Sequence, residues 1–483
     1  MKKEKIKLMK MKTFSILAPK LLNFLICMTP LTFILGNFAI NTQILITSII
    51  GIIYYRKKIF DFFDKNLIIL IFLFFLSVFV STFIESLENP KNDHLIKSII
   101  FVRYLIFLIV LRCMVVQQDF NFKYFFLTCI VFATFVSADI ILQNYTGVNI
   151  LGYKINMEEA KLIDDYRSTS LNPYINYWRT GIFGEEAIAG GYIQKFSVLG
   201  FFSIPWFFRN NNKRMLISSF LILTICFLGT LLSGNRMPTI LFLIFIFLIS
   251  IFLTFKKFRI AMFPFLIFII IVFTFVINSN ERIKGTYTSF YAAIPKISEI
   301  ISELKRKYPE LEKYKNSGKP FHETEIGKNN KENYVIYSYL TGHRILYITS
   351  LDLTADDPII GRGIKSFRNT CKEKWHKPNR VCQSHPHHYY LEILNDTGIV
   401  GFSLIIIILL VFLIKNFKKY ILANHRYKNR DLVFYAVIIS LALEFFPLRS
   451  QGSFFSTTGA AFFFLLVGIS LGLSDLNLKR RKS

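Results

Sequence analysis

Apolar runs of roughly 18 to 22 residues, parted by short basic or polar breaks, recur from one end of the chain to the other. A helix rises about 1.5 Å per residue, so each run is long enough to cross the ~30 Å hydrocarbon layer of a bilayer. Twelve spans are expected: 16 to 35, 38 to 55, 66 to 84, 96 to 116, 123 to 144, 188 to 208, 215 to 232, 237 to 255, 259 to 277, 391 to 414, 432 to 448 and 454 to 473, of which the second, seventh and eleventh are short. The pattern predicts an all-α, polytopic membrane helix bundle.

The polar breaks alternate in character. Basic stretches occur in the amino-terminal tail, at Tyr54 to Lys58, Arg209 to Arg214, Lys256 to Arg259 and Lys415 to Arg430, and in the terminal KRRKS, alternating with the spans. Inside loops carry this Lys/Arg excess, so both termini are expected in the cytoplasm and the other breaks, including the acidic stretch Glu85 to Asp93, outside. The first span lacks a short apolar stretch followed by a small-residue cleavage site and is expected to be a retained anchor.

Two outward loops are long, about 144 to 187 and about 278 to 390. The second exceeds ordinary connections and predicts a folded helical subdomain, dividing the chain into 1–277, 278–390 and 391–483. Within it, Ile294, Ile297, Ile301, Leu304 and Leu311 have near-helical spacing, and a second helix is expected from Tyr334 to Leu353, stopped at Asp356-Asp357-Pro358.

Composition agrees with a membrane protein: 53% of residues are hydrophobic and 53 are Phe. The formal charge of +27 is then mostly positive-inside flanks, which argues against a nucleic-acid partner. Cys27, Cys113, Cys129 and Cys226 lie in apolar spans and read as fillers. Cys371 and Cys382 lie in the outward loop, where a disulfide and a metal site with His385, His387 or His388 compete; the spacing fits no standard zinc pattern. No metal or cofactor is expected, and Asp164-Asp165 and Asp356-Asp357 read as turn and cap residues.

The outward polar residues carry the candidate chemistry: Arg167, Arg179, Glu186, Arg236, Arg344, the His385/His387/His388 cluster and Arg449. Guanidinium forks match phosphate oxygens, and a neutral imidazole can accept a hydroxyl proton. Glu186 has two readings: it orients an arginine or a sugar, or it neutralises Lys195 within the bundle.

HPHHYYLEILNDTGIVG resembles the H-N-x-Y-L-x-x-L-x-x-x-G-x-x-G signature of the O-antigen ligase and O-antigen polymerase superfamily. His387 takes the histidine position and His388 replaces Asn. RTGIFGEEAIAGGYIQK is similar to a second family pattern through Arg179, Gly181, Phe183, Glu186, Gly190 and Tyr192; LLSGNR to a span-end S-x-S-R through Arg236; and GHRILYITSLDLTADDPIIGRGIKSF to R-x-x-x-W-x-x-A-L…P-x-x-G-x-G through Arg344, Pro358, Gly361 and Gly363, with Tyr347 for Trp.

The resemblance implies a metal-independent, inverting membrane glycosyltransferase of the bacterial inner membrane with a periplasmic active site. It would move a glycan from undecaprenyl diphosphate to lipid A-core or a related acceptor. His387, Arg344 and Arg179 would be catalytic, and Arg236, Glu186, His388, Arg449 and Lys195 would bind substrate, with His385 and His388 as alternative bases. A polysaccharide polymerase using the same donor shares these motifs. A lipid or polysaccharide transporter or flippase is the reading from another class; it calls for broken helices and mid-bilayer charges, whereas the notable charges here sit at span ends.

Overall fold

The computed structural model describes residues 2–88, 94–154, 178–184, 186–252, 256–280, 283–284, 287, 342–374, 382–420, 429–450 and 452–482. The helix expected over 294–311, the loop residues Asp164, Asp165 and Arg167, and the start of the helix expected from Tyr334 lie outside them, as does the side chain of Arg344.

Seventeen α-helices form among the described residues. They are α1 Lys2–Cys27, α2 Thr29–Leu35, α3 Asn37–Tyr55, α4 Lys65–Glu88, α5 His94–Phe101, α6 Arg103–Val116, α7 Phe122–Thr146, α8 Ala189–Phe201, α9 Ser203–Phe207, α10 Asn212–Leu232, α11 Arg236–Phe252, α12 Lys256–Ser279, α13 Gly342–Asp356, α14 Phe367–Thr370, α15 Tyr389–Tyr420, α16 Asn429–Glu444 and α17 Thr457–Lys482. Eight helical stretches are long and apolar enough to cross a membrane, and α1 with α2, bent by 53°, makes a ninth. Two shorter apolar helices, Arg236–Ile251 and Leu432–Glu444, fall on expected spans, and α8 with α9 occupies the remaining one. The protein is an all-α, polytopic integral membrane protein.

α6 and α17 form the centre. The apolar window of α17 is 94% buried, against 17% for α12, whose Phe and Ile side chains face outward as lipid-facing residues should. Glycine permits the close central packing. A Cβ on Gly468 would sit 2.9 Å from the Leu108 carbonyl oxygen, and one on Gly472 2.6 Å from Val115 Cβ, so α17 lies against α6 at backbone distance.

At one end of the bundle sits a buried ion pair, with a second pair beside it whose lysine is half-exposed. Arg112 Nε meets Asp475 Oδ2 at 2.5 Å, both side chains essentially inaccessible, while its other nitrogens donate to the Lys58 and Asp61 carbonyls. Asp64 accepts from Lys415 at 2.7 Å and from Ser474 at 2.8 Å. This network ties α6, α15 and α17 to the link before α4.

The opposite end is built around a break in α15. At Gly398 the backbone turns to φ 60°, ψ −170°. Residues 358–363 lie across the break: Ile399 N donates to the Pro358 carbonyl at 2.8 Å, Arg362 N to Asn395 at 3.0 Å and Gly363 N to Asp396 at 2.9 Å. The peptide groups released by the break are thereby satisfied. Gly361 (φ 78°) and Gly398 face each other so closely that a Cβ on either would meet the other segment's backbone, which is why glycine stands at both places.

Candidate active site

Tyr389 begins α15, and the histidine loop enters it from Cys382. Cys371 and Cys382 are bonded as a disulfide, Cα atoms 5.2 Å apart, which decides between the two sequence readings of that pair; the other four cysteines are buried and free. Cys371 belongs to a small core with Leu346, Leu353 and Phe367, against which Tyr347 and Cys382 pack. That core joins α13 to the histidine loop.

His387 is half-buried and has φ 56°, a left-handed conformation uncommon for a side chain with a Cβ. Its Nε2 lies 3.0 Å from Gln383 Oε1, and its ring is 4.1 Å from that of His385, which reaches Ser384 Oγ at 2.8 Å. His388 points elsewhere. Its Nε2 donates to the Pro447 carbonyl at 2.8 Å, its ring lies edge-on to Tyr347 at 5.2 Å, and its Nδ1 is enclosed with no hydrogen-bond partner among the described residues. Burial holds the His388 pKa below its usual value, partly offset by the Pro447 bond. The same burial pushes Tyr347 up to about 12.

Past Pro447 the chain reaches Arg449, 4% exposed, whose Nη1 lies 2.9 Å from Glu444 Oε2. Lys195, from α8, meets the other oxygen of the same carboxylate at 2.8 Å, and the Tyr389 hydroxyl donates to it at 3.0 Å. Two cations therefore share one buried anion, leaving the triad with net positive charge. Lys195 is paired with Glu444 and lies 4.8 Å over the Phe462 ring, while Glu186 is exposed on the loop before α8.

α8 links this group to the first arginines. Gly190 N donates to Asn235 Oδ1 at 3.0 Å, and Asn235 Nδ2 to the Ala187 carbonyl at 3.0 Å, in the turn between α10 and α11. Arg179 N donates to the Ser233 carbonyl in that turn at 3.2 Å, and Arg236 begins α11. Gly190 and Lys195 are five residues apart on one helix, about 7.5 Å along its axis. Arg344 stands three residues before Tyr347 on α13, about 4.5 Å along that axis from the ring beside His388. The elements bearing Arg179, Arg236, Arg344, Lys195, Arg449 and the histidines thus gather at one end.

Buried carboxylates went unread in the sequence although ionisable residues inside apolar runs mark candidates, among them Glu444, Glu392 and Asp396. Glu392 binds Ser453 Oγ at 2.5 Å and Phe454 N at 2.6 Å; Asp396 binds Lys365 N at 2.6 Å and Ser366 Oγ at 3.2 Å. They brace the first turns of α15 beneath the histidines. Asp356 and Asp357 pair with Arg362 at 3.3 and 2.6 Å.

Residues 219–406 match the family model described as O-Antigen ligase. The match covers fewer than half of the chain's residues, and over that segment the chain is similar to the O-antigen ligase and polymerase superfamily. It runs from α10 to just past Gly401 and takes in Arg236, Arg344, the facing glycines and the histidine loop, whereas Arg179, Lys195, Glu444 and Arg449 reach the same end from outside it. No curated protein gives a significant match to the chain. Members of the superfamily are glycosyltransferase-like enzymes acting on lipid-linked glycans, which suits a polar end on an apolar bundle.

Proposed function

We propose that this protein is an O-antigen ligase-type glycosyltransferase of the bacterial inner membrane, with both termini cytoplasmic and the histidine end periplasmic, transferring a glycan from undecaprenyl diphosphate to lipid A-core or a related acceptor. One observation carries the reading: a histidine loop beside a buried group of net positive charge, within the matched family domain and the helices that close on it. His387 accepts the acceptor hydroxyl proton as the oxygen attacks the anomeric carbon. The bond from that carbon to the diphosphate breaks, and undecaprenyl diphosphate departs with the electron pair. One displacement inverts the anomeric configuration.

Arg179, Arg344 and Arg236 hold the diphosphate. Lys195 and Arg449, whose combined charge exceeds that of Glu444, add to the field favouring the charge that develops on the leaving group, so fixed cations serve where other glycosyltransferases use a divalent ion. His388, closed against Pro447 and Tyr347, supports the loop, and Glu186, exposed on the loop before α8, orients an arginine or the acceptor sugar. Complementation of a ligase-null and a polymerase-null strain tests the assignment. Restored lipopolysaccharide ladders in the first support it; restoration in the second alone overturns it in favour of a polymerase. Transfer abolished by a chelator would remove the metal-free scheme.

A further inference from the structure

We propose that Gln383, fixed in place by the Cys371–Cys382 disulfide, is a positioning residue that sets the tautomer and direction of the His387 imidazole, so that glycan transfer requires the oxidised chain. The inference rests on reading His387 as the base. His387 sits at φ 56°, and a residue with a Cβ stays there when its surroundings over-determine it. Those surroundings are compact. Gln383 Oε1 lies 3.0 Å from His387 Nε2, and an amide oxygen can only accept, so this nitrogen carries the proton and the ring's lone pair is on Nδ1. The His385 ring backs it at 4.1 Å.

Gln383 follows Cys382 directly, and Cys382 is bonded to Cys371. Cys371 is fully buried, but its core comprises Leu346, Leu353 and Phe367, too small to hold a loop by burial alone. The loop therefore has two clamps, the bridge before Gln383 and the His388 bond to Pro447 after His387. Reduction by a dithiol delivers two electrons and two protons, turns the bridge into two thiols and converts the reductant to its disulfide. The first clamp then opens while the second stays shut.

The test uses full-length protein in detergent or nanodiscs, with a lipid-diphosphate glycan as donor. Gln383→Leu should lower kcat roughly 10- to 100-fold, with KM for the donor unchanged, as outer partners of a working group commonly do. Gln383→Glu should recover much of kcat and move the acid limb of the pH–rate profile upward, because a carboxylate beside Nε2 favours the imidazolium. A dithiol should bring the wild type down to the level of the Cys371→Ser/Cys382→Ser variant and leave that variant unchanged. A fully reduced wild type as active as the oxidised one, or Gln383→Leu with wild-type kcat and pH profile, overturns the inference. Pyrocarbonate modification read on the 382–390 peptide separates the two ideas without a transfer assay: reduction or Gln383→Leu should change the His387 rate several-fold and spare His388. An unmoved His387 rate overturns the inference, whereas a moved rate with full transfer by His387→Ala upholds Gln383's hold on the ring and removes the base assignment.

Discussion

The two ends of the bundle handle buried charge in opposite ways. At the Arg112 end the pairing is one to one: a single guanidinium faces Asp475 and spends its remaining nitrogens on carbonyls. At the histidine end one carboxylate, Glu444, serves two cations, and His388 keeps a ring nitrogen without a partner among the described residues. A neutral, saturated network fixes helices. An unbalanced one has something left to offer a ligand, which under the proposed function is positive charge for a diphosphate. A cavity of about 880 Å³, lined by Lys58, Asp61, Asp64, Lys65 and Lys479, lies beside Arg112, at the other end from the histidine loop.

The comparison breaks most visibly at His387 and Arg112. His387→Ala should lower transfer roughly 100- to 10,000-fold while leaving the melting temperature in detergent near that of the wild type. Arg112→Ala should do the reverse. Removing one partner of a buried pair costs about 3 to 5 kcal/mol, so the melting temperature falls sharply, and transfer per folded molecule stays near wild type. If Arg112→Ala instead lost transfer at unchanged stability, the division of labour between the ends would be wrong.

Lys195→Met and Glu444→Gln sharpen the comparison at a smaller scale. Lys195→Met removes one of two cations and leaves Glu444 paired with Arg449, so kcat should fall roughly 10-fold, about 1.4 kcal/mol of barrier, with little change in stability. Glu444→Gln leaves Lys195 and Arg449 facing each other without an anion; stability falls, and added inorganic diphosphate should restore part of it. Unfolding curves with and without diphosphate read this directly. Equal curves for Glu444→Gln would remove the anion-binding role of the triad.

The spans were legible because a bilayer demands about 20 apolar residues in one stretch, a requirement that each segment announces by itself. Their breaks were less so. The bend between α1 and α2 falls next to Pro30, and the expected span 188 to 208 divides into α8 and α9 before Pro205. Both prolines were visible, yet within unbroken apolar runs they changed nothing in hydropathy. The glycines of the P-x-x-G-x-G and G-x-x-G patterns could be singled out from the resemblance, but that Gly361 and Gly398 touch depends on a chain reversal that no spacing records. Glu444 stood in plain view as an acid in an apolar run. Its role was hidden because the partners come from α8 and from the turn after α16, and neither Lys195 nor Arg449 is close to it in a pattern that hydropathy or periodicity reports.

The smallest effect concerns His388 and tests whether the histidine loop is clamped. Burial lowers the His388 pKa in the folded protein, so on acidification the unfolded chain takes up a proton near pH 6.5 before the folded one does. Unfolding therefore gains from acid, and the stability that His388 contributes is complete above pH 6.5 and declines below it until the folded ring also protonates. Melting temperature against pH should show this decline in the wild type, and His388→Asn should flatten it. An asparagine amide binds no proton in this range, although its nitrogen lies nearer the backbone than Nε2 and does not reach the Pro447 carbonyl in the same way. An unchanged pH profile in His388→Asn would mean that the ring is not enclosed in the folded state, and the second clamp on the loop would go with it.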